Sequence, residues 1–394
     1  MSDPIVILSA VRTPMGGMLG ELSNEPAHAL GSVAIGAAVE RAGVDPASVD
    51  EVVMGNVLMA GQGQAPARQA ALGAGLARSA GCTTINKMCG SGLKAVMFAH
   101  DLLKAGSNDV MVAGGMESMT NAPHLLPKGR TGIRLGEGVI YDHMMKDGLE
   151  DAYQPGTAMG VFAESCVDKY QFTREEQDAF AIESLKRAQQ ATENGSFKAE
   201  IAPVTIANRK GEVIVENDEQ PAKGRPDKIP GLRPAFKKDG TVTAANASSI
   251  SDGAAALVMT RESTASEKGL KPVARIVAHA SHSHEPEWFT TAPVGAIQKL
   301  LEKTGWSADD VDLWEVNEAF AVVTMAAMKD IGIAHDKVNI YGGACALGHP
   351  IGASGARILV TLLNALKQTG GKKGIAALCI GGGEAVAVAV EMTE

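Results

Sequence analysis

Hydrophobic positions along this chain follow two alternating periods. Pro4 to Ala10 is a continuous apolar run rich in β-branched residues, which predicts a buried strand. Ala29 to Ala42 has helical period and stops at Gly43. Val49 to Val57 has strand character again. Gly61 to Pro66 is a loop, and Ala67 to Leu76 predicts a helix of small residues. Thr83-Thr84-Ile85 predicts a short strand and Leu93 to Leu103 an amphipathic helix. Asp109 to Gly115 predicts a strand running into a glycine turn. Strands alternating with helices place the chain in the α/β class.

The pattern changes near Met119. From there to about Ala247 the chain is polar, irregular and rich in Pro and Gly. One helix stands out, with Thr173 as N-cap, Glu176 three residues on, and a run to Thr192. Ser251 to Met259 then restores the first pattern. Pro272 to Ala278 echoes Pro4 to Ala10. Gly305 to Asp312 leads to Asn317 as Gly43 to Asp50 leads to Asn56. Ser354-Gly355 opens a helix as Ser91-Gly92 does, and Cys379 to Glu384 stands where Val112 to Glu117 stands. Four landmarks in one order predict a duplicated α/β unit interrupted by an insertion. The first half is residues 1–118 with 250–270, the insertion 119–249, and the second half 271–394. Loops from corresponding positions would meet at a pseudo-twofold axis, and those loops carry Cys89, Asn317, His349 and Cys379.

Composition narrows the function. At 394 residues the chain is too long for one ordinary core. Its net charge of −9 argues against nucleic acid as the main partner. Five cysteines at 82, 89, 166, 345 and 379 are odd in number and widely spaced, with no Cys-x-x-Cys. That pattern argues against a disulfide framework or a structural metal and fits a reducing, cytoplasmic compartment. The start Met1-Ser2-Asp3-Pro4 has no presequence pattern, and Glu391 to Glu394 is not a peroxisomal tripeptide. No apolar run reaches the ~18 residues of a membrane span.

Four segments carry chemistry. Asn86 to Gly92 puts Cys89 on a turn feeding a helix N-terminus, where free N–H groups and the helix dipole favour an anion. That placement predicts a lowered thiol pKa. Gly342 to Gly355 places His349 in a glycine-dense loop just before a helix. Ala377 to Gly383 places Cys379 at a strand end before three glycines, whose N–H groups can form an oxyanion nest. Glu315 to Ala321 offers Asn317 between strand and helix, equally suited to an N-cap. Each residue alone has a plain structural reading. Together they supply a nucleophilic thiol, a base, a second acid/base and oxyanion donors, the inventory of acyl transfer through a thioester. Two thiols with one imidazole suit a Claisen condensation run in either direction.

Along essentially its whole length the chain resembles the thiolase family. The matching motifs are Asn86-Lys87-Met88-Cys89-Gly90-Ser91-Gly92, Asn317-Glu318-Ala319-Phe320, Gly348-His349-Pro350-Ile351-Gly352 and Cys379-Ile380-Gly381-Gly382-Gly383. The resemblance implies a five-layered α/β/α/β/α fold of two duplicated halves with an inserted loop domain. It implies Cys89 as acyl acceptor, His349 as its base and a ligand of the thioester oxygen, and Cys379 as acid/base for the α-proton and the leaving sulfur. Asn317 would position a water in one oxyanion hole, and the N–H groups of Cys89 and Gly381 would form the other. Ser248 would face the pantetheine arm, and Met159 and Phe320 would line the acyl pocket. No cofactor is implied, because coenzyme A and acetyl-CoA are substrates.

Such a polyanionic substrate requires a local basic patch. Lys223, Arg225 and Lys228, with Arg233, Lys237 and Lys238, are its candidates. Within the family the chain looks most like the acetoacetyl-CoA type, and Leu135 to Leu149 resembles the loop of its homotetrameric (dimer-of-dimers) members. Two residues depart from that type, Ala158 where many carry histidine and Phe289 where methionine is common. Longer, branched or functionalised acyl chains, processed in degradation, are therefore the alternative reading. Cys345 stands where the motif usually has an aliphatic residue and is expected to pack. A dinucleotide-binding oxidoreductase is disfavoured, since no Gly-x-Gly-x-x-Gly follows the first strand.

Overall fold

The computed structural model describes residues 3–208 and 211–393; Met1, Ser2 and Glu394, part of the terminal expectations above, lie outside it. The first half contributes β1 (Ile5–Arg12), α1 (Ala27–Ala42), β2 (Glu51–Gly55), α2 (Pro66–Gly73), β3 (Gly81–Ile85), α3 (Ser91–Lys104) and β4 (Val110–Ser118). The insertion holds α4 (Met159–Tyr170) and α5 (Arg174–Glu193). Then come β5 (Ser251–Arg261), β6 (Ala274–Ser283), α6 (Ala292–Thr304), β7 (Leu313–Val316), α7 (Ala321–Ile331), α8 (Ser354–Thr369), β8 (Lys373–Ile380) and β9 (Glu384–Met392).

The strands order as β3-β2-β4-β5-β1 in the first half and β7-β8-β9-β6 in the second. β2 runs parallel to β4 as β7 runs parallel to β8, and β4–β5 is antiparallel as β8–β9 is. The partner of β7 matching β3 is reduced to a single parallel bridge, Trp314 to Val338. The duplication predicted from four landmarks is therefore present in the strand ladder itself. A short antiparallel pairing of β1 with β6 joins the halves. The insertion occupies the β4–β5 connection, where the second half has only Gly381 to Gly383 between β8 and β9.

Three apolar clusters define the layers. α1 and α2 cover one sheet, with Leu30, Ile35 and Ala70 packed on Val6, Val52 and Val112. α6 and α7 cover the other, with Ile297, Leu300 and Ala327 against Trp314 and Ala387. Between the sheets lie α3 and α8, contributing Leu93, Val96, Leu359 and Leu362 to one shared core. The two central helices start in near contact. A Cβ on Gly92 would stand 2.8 Å from the Ala356 nitrogen, and one on Gly355 only 2.5 Å from the Leu93 nitrogen. Both repeats of Ser-Gly thus serve one purpose: they let helix N-termini, and the loops that precede them, meet.

Two expectations need correction. Gly114-Gly115 is not a turn but lies inside β4, which continues to Ser118. The glycines are required by close approach: side chains there would strike the backbones of Ala255 and Gly352. The insertion is also less irregular than its composition suggests, since α4 and an antiparallel strand pair, 204–208 with 211–215, join α5. The predicted capping box at Thr173 and Glu176 is present, with both reciprocal bonds made.

The insertion is anchored by a buried ion cluster. Arg12, fully buried on β1, donates through Nε to Glu200 at 2.5 Å and through both terminal nitrogens to Asp218 at 2.7 and 2.8 Å. The two carboxylates share this one guanidinium and are otherwise hydrogen-bonded, Glu200 by Thr361 and Asn364 and Asp218 by the Met15 N–H. No helix among the described residues is long and apolar enough to cross a membrane.

Candidate active site

Cys89 occupies a tight turn directly before α3. Gly90 and Ser91 donate backbone N–H groups back to Lys87 and Met88, and Met88 takes a left-handed φ of 47°. The Asn86 side chain accepts from the Met88 nitrogen, and the Ser91 hydroxyl bridges Lys87 and Met88. Local hydrogen bonds therefore hold an unfavourable backbone conformation beside the thiol. Lys87 forms an ion pair with Glu384, which starts β9 just beyond Gly381 to Gly383. This contact ties the Cys89 loop to the Cys379 loop across the pseudo-repeat.

The thiol is not the anion that its place at a helix N-terminus predicts. Burial pushes the Cys89 pKa up to about 11, outweighing the N–H groups of Gly381 and of Cys89 itself, which both donate to the sulfur. The residue keeps a partly open face, yet protein atoms crowd the sulfur on its other sides. Cys379 is fully buried at the end of β8, and burial followed by the nearby Cys89 raises its pKa well above the ordinary thiol value. The resting site holds two neutral thiols within electrostatic reach of one another.

His349 lies in the glycine loop before α8 and is buried. Its Nδ1 is 2.5 Å from the Ser354 hydroxyl, which itself donates to the Pro350 carbonyl at 2.9 Å. We assign the Ser354 hydroxyl proton to Pro350, so that Nδ1 donates to the Ser354 oxygen, Nε2 presents a bare lone pair, and Asn317 Nδ2 makes no hydrogen bond to Nδ1. That Nε2 is buried and has no hydrogen-bond partner among the described residues. Burial, with the Arg357 guanidinium second, pushes the His349 pKa down to about 3. The imidazole is thus neutral and free to accept a proton at neutral pH. Asn317 is buried beside it, its Nδ2 3.5 Å from His349 Nδ1 and its Oδ1 3.5 Å from Arg357.

Ser354, Arg357 and Glu117 were not singled out for chemistry from sequence. Glu117 accepts from Asn56, Val57, Leu58 and Gly352, pinning the loop after His349 to the first half. The repeat held a signal for it, since Glu117 and Glu384 occupy equivalent positions. Glu318 does the same for the glycine loop, accepting from Ser184, Asn339 and Cys345. The third thiol, Cys345, sits against Glu318, and its pKa rises far above the ordinary value through burial and that carboxylate. Replacing Ser354 with alanine should free the imidazole to rotate and lower acyl transfer from thioester to Cys89 about tenfold. Rapid-quench acylation kinetics checks this, with an unchanged rate contradicting the assignment of the tautomer.

An apolar cluster packs around Cys379. Phe289, Phe320, Phe162 and Met159 cluster with Cys379. The Phe289 and Phe320 rings meet edge to face at 6.3 Å, and Phe236 packs on Phe320 at 5.9 Å. Gly381 faces the same space, since its Cβ would come 3.5 Å from the Met159 methyl. Ala158 is the N-cap of α4 and offers no side-chain cap. Ser248 is partly exposed and donates its N–H to Ala319, next to Phe320.

A groove of about 410 Å³ leads away from this site. It is lined by Lys223, Arg225 and Lys228 at one end and by Ser249 and Cys345 at the other. Ser249 accepts the backbone N–H of His349, so the groove reaches the catalytic loop. Arg233, Lys237 and Lys238 do not line it. Lys223 is paired with Glu219, while Arg225 and Lys228 are exposed. A second cavity, about 590 Å³, is lined wholly by residues from Leu126 to Tyr141 and holds none of the candidate catalytic or CoA-binding residues.

Comparison with known proteins agrees with this geometry. Residues 5–263 match the model of the thiolase N-terminal domain and residues 270–392 that of the thiolase C-terminal domain. Acetyl-CoA acetyltransferase 2 of Arabidopsis thaliana is 53% identical over 391 residues, covering 98% of this chain and 97% of its own. The cytosolic acetyl-CoA acetyltransferase ERG10 of Gibberella zeae is 50% identical, covering 98% of both chains. Among solved structures, the acetyl-CoA acetyltransferase of Bacillus anthracis superposes with a TM-score of 0.96 at 43% identity over 99% of both chains. The Acat5 thiolase of Ascaris suum, in complex with coenzyme A, gives 0.94 at 42% identity over 99% of this chain and 100% of its own. With paired thiols, a neutral imidazole and a duplicated sheet in family order, the chain belongs to the thiolase family.

Proposed function

We propose that the chain is an acetyl-CoA C-acetyltransferase, converting two acetyl-CoA to acetoacetyl-CoA and CoA, reversibly, through an acetyl-Cys89 intermediate. The observation that carries the mechanism is the buried Nε2 of His349, unpartnered among the described residues, on a loop whose Ile351 shares an apolar cluster with Cys89. His349 takes the Cys89 proton as the sulfur attacks the acetyl carbonyl. The oxyanion forms against the N–H groups of Cys89 and Gly381. CoA leaves as its thiol, taking the proton of Cys379 and leaving that residue as the thiolate, while His349 keeps the proton taken from Cys89. A second acetyl-CoA then loses its α-proton to the Cys379 thiolate, with His349 and an Asn317-held water polarising the thioester oxygen. The enolate carbon attacks acetyl-Cys89, and the Cys89 sulfur leaves and takes back the proton held by His349, while Cys379 keeps the α-proton and is again a thiol.

CoA itself fits the groove from Ser249 to Arg225 and Lys228, with its phosphates at the basic end and its arm passing Ser248. No cofactor enters the reaction. The aromatic walls Phe289 and Phe320 favour a short acyl group. A cytoplasmic homotetramer in acyl-CoA (fatty acid) metabolism fits the cytosolic relative and the apolar loop that exposes Leu135, Val139 and Ile140. Thiolysis measured across acetoacetyl-CoA, 3-ketohexanoyl-CoA, 2-methylacetoacetyl-CoA and a 3-oxoadipyl thioester tests the substrate. A sharp preference for acetoacetyl-CoA is expected. Faster turnover of a longer or branched chain would instead assign the enzyme to degradation and make Phe289 and Ala158 the residues that reshaped the pocket.

A further inference from the structure

Outside the thiol site, one group of side chains has the geometry of a ligand set. His100 and Asp101 lie on α3, and His279 lies on β6 of the second half. His100 Nδ1 and His279 Nε2 stand 2.9 and 2.8 Å from the same oxygen of Asp101. All three ligand atoms fall within 4.8 Å of one another. The two rings are nearly perpendicular, at 86°, with centroids 5.0 Å apart. The imidazoles are mostly covered, at 16% and 18% side-chain exposure, while the carboxylate opens to solvent at 57%.

We propose that His100, Asp101 and His279 bind a divalent transition-metal ion, with Zn²⁺ the favoured class, and that water fills the remaining positions. Two imidazoles and one carboxylate select zinc-like ions over magnesium or calcium, which prefer all-oxygen sites. On binding, each ring moves its N–H to the far nitrogen and coordinates through the nitrogen now facing Asp101, so no redox partner is needed. The ion would clamp α3, which begins two residues after Cys89, to a strand of the other half. Its role is structural, since none of the three residues belongs to the thiol cluster. Without metal, the same atoms form a hydrogen-bonded triad in which Asp101 accepts from both rings.

Titration of the full chain with Co²⁺ separates the two arrangements, after the reactive thiols are blocked with iodoacetamide. We expect one saturable equivalent, with visible ligand-field bands and no thiolate charge-transfer band. Zn²⁺ should displace it. His279→Gln and Asp101→Asn should each weaken binding by at least about tenfold, with unblocked protein keeping its acetyl-transfer rate in metal-free buffer. The exposed Asp101→Asn change keeps the test valid if His279→Gln fails to fold. Absence of saturable binding, or binding unaffected by Asp101→Asn, would overturn the site and leave the triad alone.

Discussion

Replacing Cys89 with alanine should abolish the acyl-enzyme and lower acetoacetyl-CoA thiolysis by about 10⁴-fold or more. The fold should survive, because the turn is held by Asn86, Ser91 and backbone bonds rather than by the thiol. The magnitude follows from what remains. His349 and the oxyanion donors can still bind and polarise a thioester, but no atom is left to accept the acyl group. A thiolysis assay paired with circular dichroism checks both halves. Substantial turnover in a folded variant would move the nucleophile elsewhere, with Cys379 the first residue to examine.

Replacing Cys379 with serine should split the two half-reactions. A serine hydroxyl is close in size but is far too weak an acid to exist as an alkoxide that could take an α-proton. Acylation of Cys89 needs His349 and the N–H donors, which this change leaves in place, and the departing CoA sulfur can take the proton that His349 holds, so acylation should run near the wild-type rate. Condensation should fall by about 10²–10⁴-fold, the usual contribution of a positioned acid/base. Single-turnover acetylation beside steady-state condensation reads the two steps separately. Equal loss of both would mean that Cys379 also drives acylation, contrary to the assignment of His349.

The neutral resting state changes how these thiols are to be understood. With Cys89 pushed up to about 11 and His349 down to about 3, a standing thiolate–imidazolium pair is disfavoured. Proton transfer then accompanies attack on the thioester.

Much of the fold could be seen in the residues. Gly43 ends α1 where the helical period stops, and Thr173 with Glu176 caps α5, because both signals are local. The duplication was visible because both halves retain the same landmarks at loops that must meet. Other features depend on tertiary contacts that no local pattern carries. Gly114-Gly115 resembled a turn, but its glycines clear space for neighbouring backbones. The Cys89 pKa follows burial between two halves and so reverses the trend expected of a helix N-terminus. Ser354 looked like a helix opener, and its bond to His349 exists only once the glycine loop has folded back. The candidate catalytic residues could be picked out by motif, whereas their tautomer and charge state depend on the packed structure.

The most direct test is intact-protein mass spectrometry of the Cys379→Ser variant after brief exposure to acetyl-CoA, followed by peptide mapping. The account predicts one acetyl group per chain, on the peptide carrying Cys89, released by added CoA. An unmodified chain, or an acetyl group on any other residue, would contradict it.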